Sequence, residues 1–214
     1  MKYYKIVDPS GHNGLKYHEG LNVDPLPFNP SGSCEPGGIY FAKEDILAFL
    51  DFGTELYEVD PVGPVYENPG RPKIYKAHAV NLKYIGPVRD NIEYLIKEGA
   101  DVHADGESAL FYAIFNNDLK LVDLLIKHGA DVNVKESLPL FCAIESNNLE
   151  LADLLINHGA DVNGDNGLFL IYAFEDKNLK LFKYLISRGA DLTLAIDAAR
   201  DSIKRELLAY CNQF

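Results

Sequence analysis

Hydrophobic and polar residues alternate with a fixed period of thirty positions in the second half of the chain. The tripeptide Gly-Ala-Asp recurs at that interval, and apolar residues recur in register between its copies. Spacings of i, i+3 and i+4 among these residues predict two short helices per period, over Ala109–Phe115 and Leu119–Lys127, and again 30 and 60 residues later. The aligned positions are Gly99, Gly129, Gly159 and Gly189; Leu110, Leu140 and Leu170; Ala113, Ala143 and Ala173; and Leu121, Leu151 and Leu181.

Turn residues stand where the pattern needs them. Each predicted helix pair is interrupted by Asn116-Asn117, Asn147-Asn148 or Lys177-Asn178, and Asn tolerates a left-handed backbone better than most residues. The glycine of Gly-Ala-Asp then follows the second helix, where a residue with positive φ commonly ends it. A period of this size indicates stacked repeats and not one closed core.

The first 86 residues have a different pattern. Short strands are predicted at Tyr3–Val7, Gly38–Ala42, Glu55–Val59 and Ile74–Tyr84, with a helix over Lys43–Phe52. The segment GLNVDPLPFNPSGSCEPGG is too rich in Pro and Gly for regular structure. We expect a long loop there, held down by apolar residues, namely Leu21, Val23, Leu26 and Phe28.

Composition supports a boundary near residue 86. Ten of the eleven prolines lie at or before Pro87. Residues 1–86 carry 8 basic and 11 acidic residues, a net of −3, which leaves −9 of the total −12 for the remainder. This acidity argues against nucleic acid as a partner. No apolar run spans a bilayer, no signal peptide is visible, and three scattered cysteines favour free thiols in the cytoplasm.

The repeats resemble the ankyrin family, whose first helix, second helix and "GADVN" turn are matched across residues 87–214. We count a half repeat over Asn91–Glu98, three full repeats and a polar terminal cap over Leu192–Phe214. The period is three residues short of the usual ~33, so the loops between repeats should be stubby. Phe111, Phe141 and Ile171 replace the family's usual His. The implied fold class is an α+β N-terminal domain (1–86) followed by an all-α ankyrin-repeat solenoid (87–214).

The ankyrin resemblance implies that a protein partner binds the concave face. By alignment, the exposed positions at the ends of the first helices form the partner-binding surface. An exposed Phe115 flanked by acids would be an apolar anchor with an electrostatic rim; alternatively, Phe115 packs against residues 1–86. We expect a basic or mixed-charge protein partner, no membrane, no cofactor or metal, and a monomer. The residues are Phe115, Asn116, Glu145, Ser146, Glu175 and Asp176.

The N-terminal region offers an alternative. KYHEGLN and PGGIYFAKEDILAFL resemble the first motifs of the ADP-ribosyltransferase fold, which implies that His18 and Tyr40 hold the nicotinamide end of NAD. The family's catalytic Glu would fall near Arg71, where this chain has no acid. A carboxylate is needed to stabilise a cationic ribosyl centre, so we expect no transfer. A zinc site of His12, His18, Cys34 and His78 matches no common ligand spacing.

The arrangement as a whole is similar to ankyrin proteins of giant DNA viruses of the mimivirus type, and this resemblance implies a viral protein in the host cytoplasm. The leading hypothesis is a protein–protein interaction module without catalytic activity. The alternative is an ADP-ribosyltransferase-like N-terminal domain, active or degenerate, that the repeats direct to a target.

Overall fold

Two compact units make up the chain in the computed structural model, which describes residues 2–11, 15–29, 38–68 and 70–211. One unit comprises Met1–Tyr112 with Lys127–Ala130, and the other comprises Ala113–Ile126 with Asp131–Phe214. A strand-containing region comes first and helices follow it, as the sequence predicts. Among the described residues, no helix combines the length and the apolar character that a membrane span requires.

The strands form two antiparallel sheets. One has the order β1-β4-β7-β2 and the other β3-β6-β5. The predicted strand over Ile74–Tyr84 is divided in two at His78, because the chain passes there from one sheet to the other. The strands are β1 (Tyr3–Val7), β2 (Gly20–Val23), β3 (Ile39–Phe41), β4 (Glu55–Val62), β5 (Tyr66–Glu67), β6 (Tyr75–Ala77) and β7 (Ala79–Pro87).

The N-terminal core lies between these sheets and a 3₁₀ helix over Glu44–Phe52, in place of the predicted helix over Lys43–Phe52. Phe41, Val80 and Leu82 belong to a buried apolar cluster that draws on both sheets. The strand region also contacts the first helical segment within the same compact unit. Tyr4 Oη lies 3.2 Å from Tyr94 Oη.

The predicted loop that begins at Gly20 is wrong at its start. Gly20–Val23 forms strand β2, paired with β7. Leu21, Val23 and Leu26 are exposed, and Asn22 is the buried residue. Asn22 can be buried because its side chain bonds to backbone groups: Oδ1 accepts from His18 N, and Nδ2 donates to His18 O and Gly20 O. Residues 30–37 of that loop lie outside the described residues.

The helices agree with the repeat pattern. Two 30-residue steps separate three pairs, each of which has a 12-residue first helix and a 9-residue second helix. A short 3₁₀ helix (Val88–Asn91) precedes the first α-helix. The α-helices are α1 (Ile92–Lys97), α2 (Ala104–Phe115), α3 (Leu119–Lys127), α4 (Val134–Glu145), α5 (Leu149–Asn157), α6 (Gly164–Glu175), α7 (Leu179–Ser187), α8 (Leu192–Ala198) and α9 (Asp201–Cys211).

Aligned apolar side chains are buried in every repeat. Leu110, Leu140 and Leu170 are at most 1% exposed, and the aligned alanines are fully buried. The predicted apolar face of each helix pair is therefore confirmed. Phe141, which stands where the family has His, packs against the rings of Phe169 and Tyr172, with centroids 6.3 and 5.8 Å apart.

A left-handed run opens each first helix. Lys135, Glu136 and Ser137 have φ of 51°, 60° and 67°, and equivalent runs occupy 105–107 and 165–167. Three consecutive residues in this region are unusual, because each costs roughly 1–2 kcal/mol unless it is Gly. The backbone bond from Ser137 N to Asn133 O, 3.1 Å, closes the turn. The short repeat thus reverses direction in one turn.

Candidate functional site

The six residues predicted as a binding surface are all exposed. Phe115, Glu145 and Glu175 are the last residues of α2, α4 and α6, and each is followed by a polar residue. All six belong to the same compact unit. Because the positions recur every thirty residues, they occupy equivalent places in successive repeats.

The turn after each first helix fixes these positions. Asn117, Asn147 and Lys177 have φ of 51°, 51° and 55°, so the predicted left-handed turn is confirmed. The next residue caps the second helix. Asn148 Oδ1 accepts from Leu151 N at 3.1 Å, and the equivalent residues Asp118 and Asn178 accept from Leu121 N and Leu181 N.

Successive turns are also joined to each other. Asn148 Nδ2 donates to Asn117 Oδ1 at 2.6 Å, and Asn178 Nδ2 lies 3.5 Å from Asn147 Oδ1. A side chain that both caps its own helix and bonds to the preceding turn restrains the distance between neighbouring helix ends. The exposed residues beside these turns are therefore held in a regular row.

A second set of contacts between repeats was missed in the sequence. Asn133 Nδ2 donates to Gly159 O at 2.9 Å, and Asn133 Oδ1 accepts from Asp161 N at 2.8 Å. Asn163 makes the same two contacts to Gly189 and Asp191. The signal was the Asn that ends "GADVN" at these two positions. We call this contact the Asn clasp.

Phe115 is 75% exposed. This ring therefore offers most of its surface to solvent. Ser146 is less available than its exposure suggests, since its hydroxyl donates to the carbonyl groups of Cys142 and Ala143 within its own helix end. The apolar contribution to this surface comes from Phe115.

Three carboxylates complete the surface, and we call Glu145, Glu175 and Asp176 the acidic row. Among the described residues, none of the three forms an ion pair or accepts a side-chain hydrogen bond. Burial, with a smaller contribution from the Glu145 charge, raises the pKa of the Cys142 thiol. That neighbouring cysteine is therefore protonated at neutral pH and is a poor nucleophile.

The second helices differ, because their polar side chains bond to each other. Asp123 Oδ1 lies 3.2 Å from His158 Nε2. Asp153 Oδ1 accepts from Tyr184 Oη at 2.6 Å and lies 3.4 Å from Arg188 Nε. Burial and the bond to Asp153 raise the pKa of Tyr184. These carboxylates are occupied within the protein, whereas those of the acidic row are not.

The N-terminal residues predicted to hold NAD are not brought together on neighbouring strands. His18 is exposed, precedes β2 of the four-stranded sheet, and directs Nδ1 to Glu19 O at 2.8 Å. Tyr40 is part of β3 in the three-stranded sheet, where its ring lies 4.8 Å from Lys76 Nζ. The strand arrangement that the ADP-ribosyltransferase hypothesis requires is not observed.

No group of three or more His, Cys, Asp or Glu side chains within the described ranges is arranged to hold a metal ion. His12 and Cys34, two members of the zinc set considered above, lie outside the described residues.

A family model and several known proteins match about half of the chain. The family model "Ankyrin repeats (3 copies)" matches residues 85–136 and 135–196. The uncharacterized protein R869 of Acanthamoeba polyphaga mimivirus is 36% identical over 132 residues, covering 56% of this chain and 94% of that protein. An ankyrin repeat protein of the same virus, R229, is 32% identical over 117 residues, covering 48% of this chain and 37% of that protein.

Among solved structures, the crystal structure of the ankyrin repeat domain of Bcl-3, a member of the IkappaB protein family, is similar at 29% identity and a TM-score of 0.44. The match covers 55% of this chain and 61% of that one.

Proposed function

Because the chain belongs to the ankyrin repeat family, whose members are generally protein–protein interaction modules, we propose that a partner protein binds the ends of its first helices. The observation that carries this proposal is the acidic row, whose carboxylates form no ion pair with a described residue and lie in positions equivalent to the exposed Phe115 and its neighbour. On the second helices, by contrast, the carboxylates described above are paired within the protein.

The partner we propose is a protein with a basic or mixed-charge surface. The repeat half holds −9 of the −12 net charge, so its field favours the approach of positive groups. Carboxylates at the rim of an interface mainly speed association, while a desolvated aromatic ring mainly slows dissociation. The acidic row would therefore speed association, and Phe115 would slow dissociation.

We also propose the architecture that presents this surface. Residues 87–214 would stack as a solenoid, and residues 1–86 would cap its first half repeat. Two contacts support the capping role: Asp101 N donates to Glu44 O at 2.7 Å, and Tyr4 Oη contacts Tyr94 Oη. Leu95 of α1 is fully buried, which a half repeat cannot achieve on its own.

The setting we propose is the cytoplasm of an infected host cell, on the strength of the mimivirus relatives. We propose that the protein works as a monomer and does not use nucleic acid or a membrane as its partner. No contact described here favours an NAD-binding role for His18 and Tyr40.

Capture of partners from host-cell lysate, followed by kinetics with the purified partner, tests the proposal. Glu145→Lys/Glu175→Lys should slow association about tenfold at low salt and flatten its salt dependence. Phe115→Ala should speed dissociation about tenfold or more. Matched controls are Glu150→Lys/Glu206→Lys, on exposed acids elsewhere, and Leu179→Ala, on an exposed apolar residue.

The controls decide between a specific surface and general acidity. If both charge reversals slow association equally, net charge acts and not the acidic row. If neither Phe115→Ala nor Glu145→Lys/Glu175→Lys changes binding, the partner uses another face and the proposed site is wrong.

A further inference from the structure

A cavity of about 140 Å³ lies within the N-terminal region. At its edge, Tyr4 of β1 and Ala42, the residue after β3, exchange two backbone hydrogen bonds of 2.8 Å in an isolated bridge. The space is lined by residues of β1 and β3 and by the 3₁₀ helix that follows β3. Aromatic side chains, including Tyr17, Phe41, Phe49 and Phe52, form much of its lining, together with aliphatic residues.

Lys5, a residue of β1, is the basic residue among the described residues that line this cavity. Its Nζ donates to Tyr40 O at 2.8 Å and lies 4.6 Å from the centre of the Tyr17 ring. No carboxylate of a described residue lies within ion-pairing distance of Lys5 Nζ. An ammonium group has three donors, so the described contacts leave two of them unused.

The environment of the amino group is apolar. Burial lowers the pKa of Lys5 to about 8, so the group is still mainly charged at pH 7. Tyr17 beside it is neutral there, because burial and the Asp24 charge raise its pKa to about 12. Asp8 also lines the cavity, but its carboxylate is exposed and accepts from Ser10 N at 2.7 Å. Lys5 is thus a cation with no counter-ion among the residues that the structure describes.

We propose that this cavity binds a small carboxylate with a flat apolar body, its carboxylate paired with Lys5 and its body lying among the aromatic side chains. A charge-assisted hydrogen bond would supply the anion that the amino group lacks. Aromatic walls favour a planar body, and about 140 Å³ limits it to roughly one ring.

Other ligand classes fit less well. A cationic ligand would be repelled by Lys5. A phosphate would leave the aromatic walls uncovered and would find one cation where phosphate sites commonly have several donors. A neutral aromatic molecule would cover the walls but leave the ammonium without an anion. An aromatic carboxylate would supply an anion for Lys5 and would also cover the aromatic walls.

Benzoate, one ring with one carboxylate, is the probe for this site, and benzyl alcohol is its neutral counterpart. The full chain is titrated with each probe while NMR follows the backbone amides. Benzoate should shift the Gly11 and Phe41 signals, and it should bind about tenfold more tightly than benzyl alcohol. Lys5→Met should remove that preference. Lys43→Met should not, because Lys43 Nζ lies over the rings of Tyr3 and Tyr75 and does not line the cavity.

Several results would overturn the proposal. These are benzoate and benzyl alcohol binding equally, benzoate shifting amides away from the cavity, or no shift at roughly tenfold above the millimolar range expected for so small a ligand. If Lys5→Met does not fold, the comparison of the two probes on the unaltered chain still decides. Equal benzoate binding by Lys5→Met and the unaltered chain would exclude Lys5 as the anion-binding group.

Discussion

The two halves of this chain satisfy buried polar groups in opposite ways. In the repeats, one solution recurs: a cap at Asp118, Asn148 and Asn178, and the Asn clasp at Asn133 and Asn163. In the strand region each solution occurs once. Asn22 closes its own turn, and Lys5 reaches across to a neighbouring strand.

The comparison shows where to look for function in such a chain. In the repeats, equivalent positions can be compared with each other. The acidic row and Phe115 are exposed there, next to turns whose residues form hydrogen bonds within the protein. The strand region has no equivalent positions to compare, so an unusual group there is recognised only by its contacts. Lys5 is identified there by a cavity and by the lack of a carboxylate among the described residues.

The largest effect should follow from separating the halves. A fragment of residues 87–214 loses the contacts of Tyr4 and Glu44 with the first half repeat and exposes Ile92 and Leu95, which are at most 2% exposed in the full chain. We expect aggregation or partial unfolding, measured by size-exclusion chromatography and far-ultraviolet circular dichroism. A soluble fragment that unfolds cooperatively would show that the repeats do not need the strand region.

Substitutions of two glycines should destabilise the two halves by different mechanisms. A Cβ on Gly53 would lie 2.2 Å from the backbone carbon of Val7, whereas on Gly159, with φ of 91°, it would meet nothing within 4 Å. Gly53→Ala should therefore cost about 3 kcal/mol or more by overpacking, and Gly159→Ala about 1–2 kcal/mol by backbone strain. Urea unfolding measures both, and the reverse order would contradict the comparison.

Two asparagines should show the same difference more weakly. Asn22→Ala removes the three hydrogen bonds that this buried side chain makes to part-buried backbone groups of His18 and Gly20, and it should cost about 1–3 kcal/mol. Asn163→Ala breaks one exposed clasp and should cost about 0.5–1.5 kcal/mol. Asn81→Ala, on an exposed strand position, is the control and should stay within about 0.5 kcal/mol. Equal losses at Asn22 and Asn163 would contradict the argument.

A last effect concerns pH and appears only over a limited pH range. The pKa of Lys5 is about 8 in the folded chain against 10.5 for the unperturbed group. Between these values the unfolded chain binds more protons, so this group makes stability rise with pH, by about 1–2 kcal/mol across the window.

Lys5→Met should lack that rise, as measured by urea unfolding at pH 7 and at pH 10. Groups elsewhere in the chain titrate alike in both proteins and cancel in the difference. Lys43→Met is the control, and it should follow the unaltered chain. Parallel curves for Lys5→Met and the unaltered chain would mean that the amino group is not buried as described.

The sequence predicted the repeat half closely because its determinants are local. A thirty-residue period, apolar spacing and turn asparagines determine α3 at Leu119–Lys127 residue for residue. The strand half was harder to predict. Leu21 and Val23 were expected inside by hydrophobicity, but Asn22 lies inside, since backbone partners from His18 and Gly20 outweigh the cost of its burial.

The candidate sites show the same limit. Equivalent positions in the repeats led directly to Phe115 and the acidic row, and their exposure is confirmed. The Lys5 cavity was not predicted, because its lining comes from segments that are distant in sequence and meet at contacts such as the Tyr4–Ala42 bridge. No local pattern encodes that junction.

The Asn clasp has a consequence for how this protein can evolve. The hydrogen bonds described for Asn133 and Asn163 to the following repeat end on main-chain atoms, Gly159 O with Asp161 N, and Gly189 O with Asp191 N. Such a junction does not depend on the side chains of its neighbour. An in-frame duplication of one thirty-residue unit would therefore recreate the same junction on both sides. Unequal recombination between the near-identical segments at Leu124–Asn133 and Leu154–Asn163 can lengthen or shorten the array while each new junction keeps its Asn clasp.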